Sequence, residues 1–402
     1  MLSSPERRSA GYRETPTAGS LAHTATHGAR SSTPKRPRLI ARCADVADVI
    51  NAVKFGCANN LLIAIRGGGH NGAGLGSCDD GLVIDLSLMK GVRIHPATAT
   101  VRAESGCTQG DVDHACHAFG LAVPAGIVST TGLAGLTLGG GTGYMTRRFG
   151  LTIDNLIEAD VVLADGRLVT ASNVQNEDLF WGLRGGGSNF GVVTSFLFRA
   201  FPASMVLAGP MMWEIKHARQ IMRWYRDFLP TAPLELCTFL GLKTVPSTEP
   251  FPKEFWGRKI VALISCYNGR AEDGEKAIQP LRSTLPTPML DWVVPMPFPS
   301  FQSLFDSLLP KGLQWYWKGA YVKELPRPGN RCPPRICHAS AERAFTYASL
   351  SHRRDRAQRW QARVGVDLPR CHLVDGHRRY RRQSRGAAEH GLLAAVESKT
   401  IP

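Results

Sequence analysis

A chain of 402 residues with 43% hydrophobic and 20% charged positions can hold two domains of ordinary size, each with a real core. Its formal charge of +15 is unevenly spread: residues 1–40 hold seven Lys/Arg against two Asp/Glu, residues 326–402 hold sixteen against six, and the stretch between holds 25 of each. A basic surface serving nucleic acid would sit on the folded part, and that part is neutral, so composition argues against nucleic acid as a partner.

The first 34 residues are rich in Ser, Thr, Ala, Gly and Arg without a sustained period, and read as disordered. From Asp45, a plausible N-cap, Val46, Val49, Ile50 and Val53 follow helical spacing and predict a helix feeding an apolar strand at 61–65. The run Arg66-Gly67-Gly68-Gly69-His70-Asn71 comes next. Consecutive glycines let backbone N–H groups converge on an anion, for which a pyrophosphate is the natural choice, and Arg66 adds a fixed positive charge. His70 is then an imidazole beside a cofactor, where a ring nitrogen can act as a nucleophile.

The same loop fits G-x-G-x-x-G as Gly67-x-Gly69-x-x-Gly72, but a Rossmann unit needs a helix directly afterwards. Residues 73–81 carry three more glycines, Cys78 and two aspartates before the strand-like Leu82-Val83-Ile84-Asp85-Leu86, so no helix fits. No Gly-Lys-Ser/Thr follows, which excludes a Walker A loop; an ordinary tight turn between strands is the plain alternative.

Residues 100–104 read as a strand and 108–119 as a helix closed by Gly120. A second glycine cluster covers 132–143. Residues 159–163 and 168–171 flank an Asp165-Gly166 hairpin turn, and 191–198 is a buried strand. From about 204 the character changes to amphipathic helix (217–228) and apolar strand (260–266), with aromatics at Trp315, Tyr316 and Trp317. Beyond Leu325 periodicity fades, and fifteen arginines stand against one lysine.

The ten cysteines form no C-x-x-C pair, and Cys332, Cys337 and His338 lack a second ligand pair, so no metal is expected and free buried thiols in a reducing compartment are the default. Arg7-Arg8 has no apolar stretch after it, and no apolar run reaches the roughly 18 residues of a membrane span. A soluble, cytoplasmic protein is the expectation.

Several motifs now stand in order: Arg66 to Asn71; Gly126-Ile127-Val128-Ser129-Thr130-Thr131-Gly132; Gly135-Leu136-Thr137-Leu138-Gly139-Gly140-Gly141-Thr142-Gly143-Tyr144; Arg148 to Asn155; and Asp178 through Arg184-Gly185-Gly186-Gly187-Ser188-Asn189-Phe190-Gly191-Val192-Val193. Together they resemble the FAD-linked oxidases of the berberine bridge enzyme-like family, whose FAD-binding domain is of the PCMH or vanillyl-alcohol oxidase type. The likeness is dense from about Arg38 to Pro202 and looser to about Leu325.

The resemblance implies an α+β fold: a PCMH-type two-subdomain FAD-binding domain over 35–203, followed by an antiparallel-sheet-plus-helices substrate domain over 204–325. It implies FAD as cofactor, with Arg66, Gly67, Gly68, Gly69, Asn71 and Gly72 around the pyrophosphate and His70 bonded to the flavin 8α-methyl carbon. Gly126, Thr130, Thr131, Gly132, Gly135, Gly139, Gly140 and Gly141 would lie along the isoalloxazine and ribityl chain, and Asn189, Gly191 and Val193 at the adenine end. Tyr144 is placed either to face the ring or to pack. Some members add a cysteinyl link at the position of Val128, which has no thiol, so a single histidyl link is expected.

Such an enzyme moves a hydride from a carbon bearing OH or amine to flavin N5 and passes electrons to O2, giving H2O2. The implied partners are an alcohol, sugar or secondary-metabolite substrate and O2, with no nucleic acid or membrane; no catalytic base is assigned. A non-catalytic remnant and a flavin reductase or lactone oxidase of the same fold are the alternatives. Residues 326–402 do not match the segment with which family members close the FAD domain; their Arg/Pro/His-rich composition, like that of 1–34, reads as out-of-frame translation.

Overall fold

The computed structural model describes residues 35–309 except Ser188 and Pro250, together with the backbone of four strands, Tyr12–Glu14, Trp315–Ala320, Ala344–Leu350 and Leu393–Thr400. The remainder of 1–34 and 326–402, on which the out-of-frame reading falls, lies outside the described residues, as do Cys332, Cys337 and His338.

Asp45 caps the helix Val46–Ala58 by accepting from the Asp48 N–H at 3.0 Å, and Val49, Ala52 and Val53 form its buried face. This helix lies between two strands of a sheet in which Leu39–Arg42, Leu82–Asp85 and Ile63–Arg66 run parallel, with Leu82–Asp85 in the middle. Every residue of that central strand is buried, which accounts for its unbroken apolar run. Tyr12–Glu14 adds an antiparallel edge to Leu39–Arg42, where the sequence pattern predicts no structure; a three-residue strand leaves no periodicity to read.

A five-stranded antiparallel sheet follows in the order Val92–His95, Thr100–Glu104, Val192–Arg199, Leu156–Val162, Leu168–Ser172. Its buried face carries Val101, Ala103, Ala159, Val161, Phe196 and Phe198 against the helices Gln109–His117, Leu133–Leu138 and Glu177–Gly186. Val162 and Val192 belong instead to the core of the parallel sheet, so one strand pair ties the two cores together. Within the second glycine cluster the sequence suggests only loop, yet Leu133–Leu138 is helical because its apolar residues are buried against this core.

The third sheet centres on Met205–Glu214, Lys259–Tyr267 and Leu236–Thr244. One face, with Leu207, Met211 and Trp213, is covered by the helices Ala218–Phe228 and Ala271–Thr284. The opposite face, with Ala208, Met212, Phe239 and Ile264, packs on Tyr144, Met145 and Phe301, so the alternation of each strand feeds two different cores. Ala344–Leu350, Leu393–Thr400 and Trp315–Ala320 extend the sheet beyond Leu236–Thr244. Two of these strands lie past Leu325, where no regular structure is expected from the sequence; Phe345-Thr346-Tyr347 are β-favouring types hidden in arginine-rich surroundings.

Arg147, on the short helix Thr146–Phe149, joins the first half to the second. It is 4% exposed and donates to the carbonyls of Leu229 at 2.9 Å, Ala232 at 2.7 Å and Pro233 at 3.3 Å, where the chain leaves the helix Ala218–Phe228. Burial pushes its pKa below the usual guanidinium range, and the carbonyl dipoles offset that cost. Replacing Arg147 with Met should therefore lower stability by about 2–4 kcal/mol, because buried carbonyls lose their donor; urea unfolding of the variant against the parent measures it.

Candidate cofactor site

The first glycine loop leaves the C-terminal end of the strand Ile63–Arg66 and meets the second at a single point. A Cβ on Gly68 would overlap the backbone of Gly132, and one on Gly132 would overlap the backbone of Gly68. No other residue type fits either position. The contact sets His70 Nε2 3.1 Å from Thr130 Oγ1, so the predicted attachment residue and the 126–132 motif share a hydrogen bond.

Arg66 braces this loop as well as charging it. Its guanidinium donates to Asp85 Oδ2 at 3.0 Å, and Gly69, at φ +76°, lies so close that an added Cβ would stand 3.4 Å from Arg66 Nη2. Asp85 is the direct register partner of Arg66 on the neighbouring parallel strand, and its buried carboxylate takes up part of the charge foreseen for phosphate. Arg66 Nε is buried and meets no acceptor among the described residues. The Asn71 side chain is used within the loop, accepting from Ala73 N–H at 3.1 Å and Leu75 N–H at 3.0 Å, with Gly72 inside that turn.

Along the second loop, Gly126 offers its carbonyl to two side-chain amides, Gln109 Nε2 at 3.1 Å and Gln302 Nε2 at 2.7 Å. The Thr131 carbonyl accepts from Gln109 N–H at 2.8 Å. Gly135 has no heavy atom within 4 Å of where its Cβ would stand, so a side chain there would intrude into open space. Gly139 ends the helix; Gly140 and Gly141 follow at φ +105° and +77°, and a Cβ on Gly141 would overlap Thr152 Oγ1, a buried hydroxyl with no partner among the described residues. Open space at Gly135 and, at separate points, unmatched buried polar atoms on Arg66 and Thr152 are compatible with a bound dinucleotide.

Tyr144 is enclosed, with its ring 5.4 Å from that of Phe239 and 4.3 Å from that of Phe301, and its hydroxyl 3.5 Å from the Ile127 carbonyl. Val128 is buried. At the far end Asn189 is exposed, while Gly191, at φ +146°, has no room for a Cβ against the Val162 carbonyl. Val193 accepts at its carbonyl from Ser105 Oγ at 2.6 Å. Ser105 also sets its own carbonyl 3.3 Å from the Cβ direction of Gly67, so it links the stretch around Val193 to the first loop. His70, Gly67–Gly69, Thr130–Gly132 and Gly135 thus come together, whereas Asn189 and Gly191 lie on the far side of that link.

Sequence reasoning missed Asp85, Ser105, Gln109, Gln302 and Asp306. Asp85 had a signal, a charge closing an apolar strand; Gln302 lies 176 residues from Gly126 and had none. It also missed Lys243, which shares a strand face with Phe239 and whose amine burial pushes down to about 7. Burial raises the thiols of Cys43, Cys107, Cys116 and Cys237 to about 12, which makes them unreactive. No metal-binding cluster and no membrane-spanning helix occur among the described residues.

Two outcomes follow from this geometry. Gly132→Ala should abolish flavin retention, because the loops cannot close, and A450 relative to A280 after gel filtration reads it. Asp113, wholly buried on the helix Gln109–His117, has its carboxyl raised by burial from 3.8 to about 8. Its neutral form is favoured in the folded state, so its contribution is complete below about pH 4 and lost as pH rises towards 8. Asp113→Asn should remove most of the fall in Tm that the parent shows between about pH 5 and 8 in a thermal scan series.

Residues 37–172 match the family model described as FAD binding domain. The chain is 34% identical over 289 residues to a FAD-linked oxidoreductase of Dictyostelium discoideum, covering 72% of this chain and 60% of that protein. It is 40% identical over 181 residues to (R)-6-hydroxynicotine oxidase of Paenarthrobacter nicotinovorans, covering 44% and 39%. Among solved structures, 6-hydroxy-D-nicotine oxidase from Arthrobacter nicotinovorans superposes at TM-score 0.76 with 23% identity, over 100% of this chain and 82% of that one. The wild-type berberine bridge enzyme-like protein 1 of Physcomitrella patens superposes at 0.71 with 22% identity, over 98% of this chain and 82% of that one. At these identities the structural likeness is one of fold, and it bears out the α+β, PCMH-type architecture. The chain spans about 60% of the length of the Dictyostelium relative.

Proposed function

We propose that this chain, whose residues 37–172 match the family model described as FAD binding domain, is a FAD-linked oxidase holding FAD across the joined loops 66–72 and 126–141. The observation that carries the reading is the Gly68–Gly132 contact with His70 at hydrogen-bond distance from Thr130. Bound there, FAD would accept a hydride from a carbon bearing OH or amine and return the electrons to O2 as H2O2. The FAD-linked relatives and the oxidase fold support that class of reaction, with a small alcohol, sugar or amine-bearing metabolite as substrate.

This chain's residues supply position. Backbone N–H groups of Gly67 to Gly69, with the Arg66 charge backed by Asp85, would hold the anionic bridge of the cofactor. Thr130 would orient the His70 imidazole, whose ring nitrogen would form the bond to the 8α carbon, the two displaced hydrogens leaving to O2 as H2O2. Residues 35–203 carry these groups, and the sheet face of 204–325 packs on Tyr144, where it would shield the substrate side from water.

Yellow protein whose colour stays with the acid-precipitated pellet is the expected result, with that colour wholly soluble in His70→Ala. Flavin attached by mass to any residue other than His70 contradicts the link. Oxygen-dependent peroxide on a panel of sugars, alcohols and amines supports the oxidase; tightly held flavin with no turnover on that panel favours a non-catalytic flavin binder.

A further inference from the structure

We propose that Asp306 and Gln302, 177 and 176 residues from the loop residues Ser129 and Gly126 that they hold, are positioning residues for cofactor attachment, acting on His70 through the segment Gly126 to Thr131. This rests on the reading of His70 as the attachment residue.

Six hydrogen bonds hold that segment. Its Gly126 carbonyl accepts from Gln302 Nε2 at 2.7 Å and from Gln109 Nε2 at 3.1 Å. The Asp306 carboxylate accepts from Ser129 N–H at 2.9 Å and from the Ser129 hydroxyl. Gly110 N–H donates to the Ser129 carbonyl at 2.8 Å, and Gln109 N–H to the Thr131 carbonyl at 2.8 Å. Thr130 lies between these fixed points, and its hydroxyl meets His70 Nε2 at 3.1 Å. Half of the restraint thus comes from the helix Gln109–His117 beside the loop, and half from the third sheet's side of the molecule.

Gln302 and Asp306 stand four residues apart, on the helix Phe298–Ser303 and at the start of the turn Asp306–Leu308. Phe298, Phe301, Phe305 and Leu308 anchor that stretch in the core that contains Tyr144. An aromatic core on one side and two side-chain hydrogen-bonding groups on the other make it a rigid clamp. Attachment needs a ring nitrogen aligned with an electrophilic carbon, and misplacement by about 1 Å costs up to roughly a hundredfold in such a step. A Ser129 freed from Asp306 lets Thr130 turn and releases His70 from that alignment. The clamp therefore makes attachment wait for the second half of the molecule to pack onto the first.

The test reconstitutes flavin-free full-length protein with FAD and follows the acid-stable fraction of bound flavin with time. Asp306→Ala is expected to slow attachment about tenfold or more, and Gln302→Met to slow it less, with total bound flavin and urea midpoint near the parent's. Asp306→Asn, which can still accept from Ser129, is expected to recover most of the rate. An unchanged attachment rate in Asp306→Ala overturns the proposal, as does a loss matched step for step by lost binding of FAD. A parent with only dissociable flavin refutes the attachment reading itself. The clamp is then read from imidazole NMR of the full chain: Asp306→Ala should move the His70 signals in the same direction as Thr130→Val, and unmoved signals overturn it.

Discussion

The approach of two backbones at Gly68 and Gly132, with no side chain between them, is the constraint on which the site depends. Each glycine's Cβ position is occupied by the other's main chain, so the two loops are joined where neither can bear a substituent. From that joint the helix Leu133–Leu138 starts, His70 reaches Thr130, and Gly67 comes under the Ser105 carbonyl. Glycine serves here less for loop flexibility than for the closeness of packing that its missing side chain permits.

Charge is handled by the same economy of space. Arg66 is matched by its register partner Asp85 on the adjacent parallel strand, so a cation can sit at the strand ends without standing alone. Arg147 donates to three main-chain carbonyls and so couples the halves of the molecule. Arg147 is buried and Arg66 part-buried, and the partners of both are separated in sequence but adjacent in space. Directional hydrogen bonds of this kind define a geometry more sharply than apolar packing can.

The third sheet shows how one element serves two purposes. Its strands are apolar on both faces because one face meets helices and the other meets the residues after the second glycine cluster. Tyr144 belongs to that second contact, between Phe239 and Phe301. The stretch Phe298 to Leu308 is the point at which this packing reaches back to the loop, through Gln302 and Asp306.

Much was legible locally. Asp45 as a cap, the parallel-strand run Leu82 to Asp85, the helix after Thr108 and the strand 191–198 each carry their signal within a few residues, because helix and strand periodicity and capping are short-range effects. The glycine runs and His70 could be singled out for the same reason: a bare turn is a property of its own residues. What the chain order could not disclose was which glycines touch, that Arg66 is shared with Asp85, that Tyr144 is enclosed by aromatics, or that Asp306 holds Ser129. Those are contacts between segments 19 to 177 residues apart. They depend on how sheets and helices stack, and a single sequence carries no periodic trace of that stacking.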